Sequence, residues 1–279
     1  MECSVCNGSR SKVVFVEFGI DIYKCKDCGH MFSSYGADQY YEGYFGNDAG
    51  RNDNFWWDQA HRMMYDDFCK KYIIGRSGRL LDIGCGLGFF VKKISDYSNW
   101  QPYGIEISKT AADFATTELK LANIFCGKAE EADLPKNYFD IITLWDVIEH
   151  IPNPDKILNY IGSILKDGGL LFIHTPNANI QLFKARFKKL FYGMKPTRHY
   201  LEAKDHINIY TVKSISMVLK HHNFKSIEFI HLHPIQSISG SKNKFNVFMK
   251  NLWFNFSRIF YWLSFKKFNL NNLHIAVKK

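Results

Sequence analysis

The sequence predicts an α/β protein: a doubly wound, seven-stranded sheet with a small cysteine-bearing β unit ahead of it and helical insertions late in the chain. Three observations carry that expectation. From Arg79 onward, strand-like apolar runs alternate with helical stretches, the pattern of βαβ units and a parallel sheet covered on both faces. A glycine-rich turn, Gly84-Cys85-Gly86-Leu87-Gly88, follows the first of those runs. Two C-x2-C pairs precede everything else.

The bulk properties set the scale. A chain of 279 residues with 46% hydrophobic content can bury a full core, so one large domain with a small appendage is expected and disorder is not. The net charge of +9 is unevenly placed, with 18 Lys+Arg against 3 Asp+Glu from Gln181 onward. Any anionic partner surface is therefore expected in that last part. Met1–Arg10 lacks the apolar core of a signal peptide, and no charge-free apolar run reaches the length of a bilayer span. A cytoplasmic protein is expected, with a peripheral position at the inner membrane face left open by the basic C-terminal region.

The first unit is 1–36. Cys3 and Cys6, then an 18-residue gap, then Cys25 and Cys28 give the spacing of a four-cysteine zinc site. Two residues between cysteines let both thiolates face one ion, and four thiolates fill a tetrahedron, so the ion is structural Zn2+. It would compensate for a core too small to hold so short a unit. Val13–Phe18 is a strand candidate and Asp21–Tyr23 leads into the second knuckle; His30 is expected to be a solvated neighbour of that knuckle, with replacement of a cysteine as ligand the alternative. Residues 37–75 form an aromatic and helical linker, with a helix over Phe55–Tyr72. The remainder, 76–279, is the main domain. Its seven strands lie at Leu80–Gly84, Tyr103–Ile107, Asn123–Gly127, Phe139–Trp145, Leu170–Thr175, Ser226–Leu232 and Asn272–Val277, with insertions at about 178–205 and 240–270.

The glycine-rich turn is the first site candidate. Glycines at Gly84, Gly86 and Gly88 remove Cβ atoms that would keep a ligand from the backbone near a helix N-terminus. Glu106 ends the next strand, where an acid can take both hydroxyls of a ribose. The spacing is G-x-G-x-G with Asp82 two residues ahead, rather than the dinucleotide G-x-G-x-x-G. An acid there suits a ligand bearing an ammonium group better than a pyrophosphate.

On these residues the chain resembles the class I S-adenosylmethionine-dependent methyltransferases, over roughly 76–177 and loosely at the last strand. Asp82, Gly84, Gly86 and Gly88 fall on that family's first motif, and Glu106 on its ribose-binding acid. Gly127-Lys128-Ala129-Glu130 and Asp133-Leu134-Pro135 match the loop flanking adenine, with Lys128 where many members carry an acid, so Ala129 and Glu130 are the residues assigned to that pocket. Phe139-Asp140 through Trp145-Asp146-Val147-Ile148-Glu149-His150 match the fourth strand and its exit, and Leu165–Gly169 the turn before the fifth. The resemblance implies a Rossmann-like sheet, S-adenosyl-L-methionine as cofactor, and Trp145 and Asp146 beside its methionine portion.

The acceptor is read less directly. Transfer to a hydroxyl or an α-keto carbon needs a base, and Asp205-His206-Ile207-Asn208-Ile209-Tyr210-Thr211 resembles a signature of bacterial small-molecule and sugar O-methyltransferases. His206 is the candidate base, oriented by Asp205 or another carboxylate; a purely structural role in the turn is the alternative. His150 is expected to anchor a loop. A cysteine unit joined to this methyltransferase type resembles bacterial enzymes that methylate sugars for surface polysaccharides or antibiotics, and implies that Tyr40-Tyr41-Glu42-Gly43-Tyr44 helps wall the acceptor pocket. A hydroxylated small molecule, foremost a sugar, is thus the expected acceptor, ahead of carbon methylation of a keto-sugar. Methylation of RNA is a further alternative, since a cysteine-zinc unit before a similar core also occurs in enzymes that modify ribosomal RNA; the absence of an aromatic-glycine stacking motif places it behind the small-molecule reading. A cofactor-binding module without turnover is the rival from another class. The insertions carry Phe183, Phe187, Leu190 and Phe191 in one helical stripe among lysines, then a second aromatic and basic run. They fit lid helices, a homodimer interface or contact with an anionic membrane surface.

Overall fold

The structure, a computed structural model, describes residues 1–36, 55–235, 244–266 and 268–279. The Tyr40–Tyr44 segment lies outside the described residues. The chain opens with β1 (Ser11–Glu17), β2 (Ile20–Cys25) and β3 (Met31–Ser33), followed by α1 (Phe55–Tyr72). The main sheet is then laid down as β4 (Gly78–Ile83), α2 (Phe89–Ser95), β5 (Trp100–Glu106), α3 (Lys109–Thr117), β6 (Ile124–Cys126), β7 (Phe139–Trp145), α4 (Pro154–Ile164) and β8 (Leu165–Thr175). After these come α5 (Ala178–Tyr192), β9 (Asn208–Ile209), α6 (Val212–His221), β10 (Lys225–Ile230), α7 (Lys244–Leu263) and β11 (Leu273–Lys278).

Seven strands lie in the order β10-β11-β8-β7-β4-β5-β6. The five from β6 to β8 are parallel, as the βαβ alternation requires. β11 runs against both β8 and β10, so the sheet is mixed; the chain returns through α7 to pair directly with the strand it has just left, without a crossover. Alternation along β4 sends Leu81 and Ile83 to one face and Leu80 to the other. Leu81 and Ile83 pack with Ile157, Leu158 and Ile161 of α4 and Ile215, Val218 and Leu219 of α6. Leu80 packs with Met64, Phe68 and Tyr72 of α1 and Phe90 and Ile94 of α2. Helix starts are set locally: Asn153 accepts the N–H of Asp155 ahead of Pro154 in α4, and Thr211 and Ser214 form a reciprocal capping box on α6.

The N-terminal strands form a second sheet, β1-β2-β3-β9, whose last member belongs to the main chain beyond α5. Phe15, Ile22 and Met31 bury against Ala178, Leu182 and Ala185 of α5 and against Tyr200, Leu201 and Ile209. Polar anchors reinforce the contact. The buried Glu17 carboxylate accepts the N–H of Leu201 and of Ala203, both at 3.1 Å. His30 is fully buried rather than solvated, and its Nε2 donates to Asn208 Oδ1 at 2.9 Å; burial pulls its pKa down to about 4. A short unit with few apolar residues is stabilised largely by what it docks on, which is why a histidine beside a knuckle can be interior.

The insertions become α5 and α7. In α5 the buried face is Ala178, Leu182 and Ala185, while the aromatic stripe points outward, with Phe183 68% and Leu190 79% exposed. In α7, Phe254, Ser257 and Tyr261 face inward, and Leu252, Phe256, Ile259 and Trp262 remain exposed. Among the described residues no helix is long and apolar enough to cross a membrane.

Candidate active site

The parallel strands end together at one rim, and the sequence-predicted residues gather there. Gly84 and Gly88 have φ of 71° and 82°, left-handed backbone that glycine adopts without a Cβ penalty. The room they leave is taken by protein: a Cβ on Gly84 would lie 2.5 Å from Val147 Cγ2, and one on Gly88 would lie 2.8 Å from Ala115 Cβ. These glycines therefore shape the turn and its packing. Gly86 donates its N–H to Glu106 Oε2 at 2.7 Å, and Ser108 N–H reaches Glu106 Oε1 at 2.8 Å. The carboxylate is thereby fixed at the tip of β5, beside the turn.

Asp82 lies behind that turn, buried, with Thr143 Oγ1 on the adjacent β7 donating to Oδ1 at 2.6 Å. Burial, reinforced by the charge of Glu106, pushes its pKa up to about 8 against the hydrogen bond from Thr143. Ala129 is buried and Glu130 exposed in a short 3-10 turn after β6. Trp145 is interior: its ring lies 4.7 Å from Phe172 and 5.1 Å from both Tyr65 and Phe90. It floors the site as part of the aromatic core. Asp146, next along, takes a left-handed φ of 52° that turns the chain out of β7, and its Oδ1 lies 3.0 Å from His174 Nδ1. Burial opposes its ionisation, but His174, His61 and His206 outweigh it and hold the carboxyl near 2.

Beyond Asp146 the structure brings together a group that sequence reasoning had named only singly. The His150 and His206 rings are 5.0 Å apart, edge to face. His150 Nδ1 donates to the Asp205 carbonyl at 2.9 Å, so a neutral ring has its acceptor nitrogen at Nε2. It anchors the loop that carries His206. The carboxylate near His206 is Glu202, with Oε2 3.4 Å from Nε2; Asp205 engages His150 through its backbone. Burial lowers the pKa of both histidines, His206 despite the nearby charges of Asp146 and Asp205. Glu149 is buried, with Oε2 accepting from Thr175 at 2.9 Å. Burial and then Asp146 push its carboxyl well above the usual range. Glu149, His150 and His206 each offer a ligand atom within 4.8 Å of the others, a set that could also hold one cation. The Glu-His pair after β7 was the signal available in sequence; Glu202 and His174 gave none.

The four cysteines converge. Cys3, Cys6, Cys25 and Cys28 place their sulfurs within 4.8 Å of one another, with Cys3–Cys28 and Cys6–Cys25 at 3.6 Å. That is too long for a disulfide. It matches the roughly 3.8 Å edge of a tetrahedron with Zn–S near 2.3 Å. The backbone N–H of Asp27 points at Cys25 Sγ and that of His30 at Cys28 Sγ, both at 3.4 Å. Of the other cysteines, Cys69 and Cys85 are buried and Cys126 is exposed.

On the far side of Asp146, α5, α7 and the ends of β8 and β11 enclose a cavity of about 660 Å3. His174 joins it to the strand rim: its ring lines the cavity and faces Asp146. A cavity of that size suits a small molecule better than a duplex or a folded partner.

The strand order, the fixed acid at β5 and the glycine turn define a class I S-adenosylmethionine-dependent methyltransferase. The family profile described as a methyltransferase domain matches residues 56–228, and the chain belongs to that family. A ubiquinone biosynthesis O-methyltransferase of Coxiella burnetii is 28% identical over 140 residues, covering 46% of this chain and 59% of that protein. The chain thus spans less than two thirds of the length of the curated relatives it matches. Among solved structures, a SAM-dependent methyltransferase from Archaeoglobus fulgidus aligns with TM-score 0.51 and 19% identity over 81% of this chain and all of that one. Haemonchus contortus phosphoethanolamine N-methyltransferase 2, in complex with S-adenosyl-L-methionine, aligns with TM-score 0.55 and 16% identity over 87% of this chain and 60% of that one. Both show the shared fold.

Proposed function

We propose that the protein transfers a methyl group from S-adenosylmethionine to a hydroxyl of a small molecule, foremost a sugar, with His206 as the base. The observation that carries this reading is the pairing of His206 with a locked His150 next to Asp146, at the rim where the donor residues end. Bound S-adenosylmethionine would supply a methyl already activated on a sulfonium. Glu106 and the glycine turn would hold its ribose end, with Ala129 and Glu130 toward the adenine and Asp146 toward the methionine portion. The protein's remaining task is alignment and removal of one proton. Kept neutral by burial, His206 can accept the acceptor's hydroxyl proton as the new C–O bond forms and the sulfonium C–S bond breaks. The O-methyltransferase relatives support an oxygen acceptor.

The four cysteines would hold a structural zinc ion, leaving no open position for catalysis. The outward aromatic stripe of α5 and the exposed face of α7, set among Arg186, Lys188, Lys189, Arg258 and Lys266, would rest on an anionic membrane surface. The test of the reaction is methyl transfer to nucleotide sugars and phenolic or polyol acceptors, read by mass spectrometry. His206→Ala should lower kcat by roughly 10²- to 10⁴-fold and leave the cofactor Kd within about twofold. Tight cofactor binding with no turnover on any hydroxylated acceptor would favour a non-catalytic module instead.

A further inference from the structure

The cavity beside His174 has a charge pattern that a neutral sugar does not require. Its described lining includes two lysines, Lys184 on α5 and Lys250 on α7, and no carboxylate. Lys184 lies on the exposed rim and Lys250 is half-buried. Lys250 Nζ donates to the Ile235 carbonyl at 3.3 Å, a contact that satisfies a proton without neutralising a charge. Among the described residues neither amine has an ion-pair partner. Desolvation lowers the pKa of both, and Lys184 is lowered further by repulsion from Lys188 and Lys250.

The lining also includes His174, His274, Asn271 and Asn272. His274 is 2% exposed, lines the cavity, and among the described residues has neither ring nitrogen hydrogen-bonded. Its ring stacks on His174 at 4.7 Å, and Asn272 Nδ2 lies 3.3 Å from His174 Nε2. Burial and the neighbouring His174 keep His274 neutral, so it offers one donor and one acceptor, the pair a hydroxyl uses. Trp253 adds an aromatic wall. One end therefore suits an anion and the other a hydroxylated body, and the hydroxylated end abuts Asp146.

We propose that this cavity holds one end of the acceptor and selects a phosphate-bearing sugar or polyol, its phosphate between Lys184 and Lys250, a hydroxyl toward His274, and its reacting hydroxyl beyond Asp146 at His206. The assignment rests on the methyltransferase reading above and specifies its substrate class. Two lysines without a counter-charge repel each other; a dianionic phosphate removes that repulsion and makes charge-assisted hydrogen bonds to both. A neutral glycoside would leave them unmatched.

Titration calorimetry on the full chain, with S-adenosylmethionine and then with glucose 1-phosphate or pyrophosphate as probes, tests this. Wild type should bind both probes saturably. The Lys184→Met/Lys250→Met pair should weaken them at least tenfold, with cofactor affinity unchanged within about twofold, and Lys250→Arg should retain most of the binding. Lys156→Met, an exposed lysine on α4, should change nothing. Glucose itself should bind much more weakly than its phosphate. Absence of saturable probe binding at millimolar concentration, or equal binding by wild type and the double variant, overturns the assignment. Failure of the methyltransferase reading would show separately, as absence of S-adenosylmethionine binding in wild type.

Discussion

Asp82→Asn separates what the first motif does for the fold from what it does for a cationic ligand. Asp82 is buried, accepts a hydrogen bond from Thr143, and has its pKa raised from 3.8 to about 8, first by burial and then by Glu106. A folded-state pKa above the unfolded one means that the fold favours the protonated acid. The resulting stabilisation is fully present below pH 4 and is lost as pH rises toward 8. At about 1.4 kcal/mol per pH unit, the span from 3.8 to about 8 amounts to on the order of 6 kcal/mol as an upper bound. The amide keeps an acceptor for Thr143 and has no charge to bury. Urea denaturation of the cofactor-free protein should therefore show the variant gaining on wild type between pH 5 and pH 9, by several kcal/mol at the alkaline end. Cofactor binding should move the other way. A sulfonium and an ammonium brought near the turn favour the ionised acid, so wild-type affinity should climb by up to about tenfold per unit below pH 8, whereas the variant binds more weakly and almost independently of pH. Equal stability differences at pH 5 and pH 9 would show that Asp82 ionises normally and refute the reasoning.

Four further outcomes follow from the same geometry. Because burial lowers the pKa of His206, the acid limb of kcat/KM should have its midpoint below 6.5, with activity rising to a plateau above it, and the limb should vanish in His206→Ala; a midpoint near 8 would point to another base. Removing metal with a strong chelator should release about one zinc per chain and lower the Tm by several degrees, and Cys25→Ser should reproduce it; an unchanged Tm with no metal released would end the zinc assignment. Glu17→Ala removes the acceptor for the N–H groups of Leu201 and Ala203, so it should lower the folding stability by about 1–3 kcal/mol per stranded donor and reduce kcat while the cofactor Kd stays put. Vesicles containing anionic lipid should sediment the protein at low salt and less at high salt, with Phe187→Asp/Phe191→Asp abolishing the effect; no association in either condition removes the membrane contact.

How much was legible in sequence depended on whether a residue's role is local. The helix Phe55–Tyr72 and the strand Phe139–Trp145 appear at their expected limits because apolar spacing over such lengths has one solution. The convergence of the four cysteines was legible because two knuckles position four sulfurs almost by themselves. The direction of β11 was not, since nothing within Leu273–Lys278 records which way its neighbours run. Nor was the burial of His30, which depends on Asn208 far along the chain, or the partnership of His174 with Asp146 across two strands. Asp82 is intermediate: its presence was the decisive motif signal, but its enclosure behind the turn depends on Thr143 of β7.

The same distinction explains why a cysteine unit sits on this sheet at all. Between α5 and β9 the chain runs from 193 to 207 with no helix or strand of its own, and His206 lies at its end. A loop of that length, left to itself, would spread a base over many positions and forfeit the alignment that methyl transfer requires. The N-terminal unit removes that freedom at four points. Glu17 fixes Leu201 and Ala203, Ser33 Oγ donates to the Ala203 carbonyl, β3 pairs with β9, and His30 and Ser4 meet on Asn208 Oδ1. Asn208 in turn donates to the Ile151 carbonyl at 2.6 Å, one residue beyond His150. The two histidines are thus referenced to one another through a side chain that the cysteine unit holds. If the four cysteines hold the proposed zinc and His206 is the proposed base, a metal far from the chemistry would then control the rate, because it would stabilise the brace on the loop that carries His206.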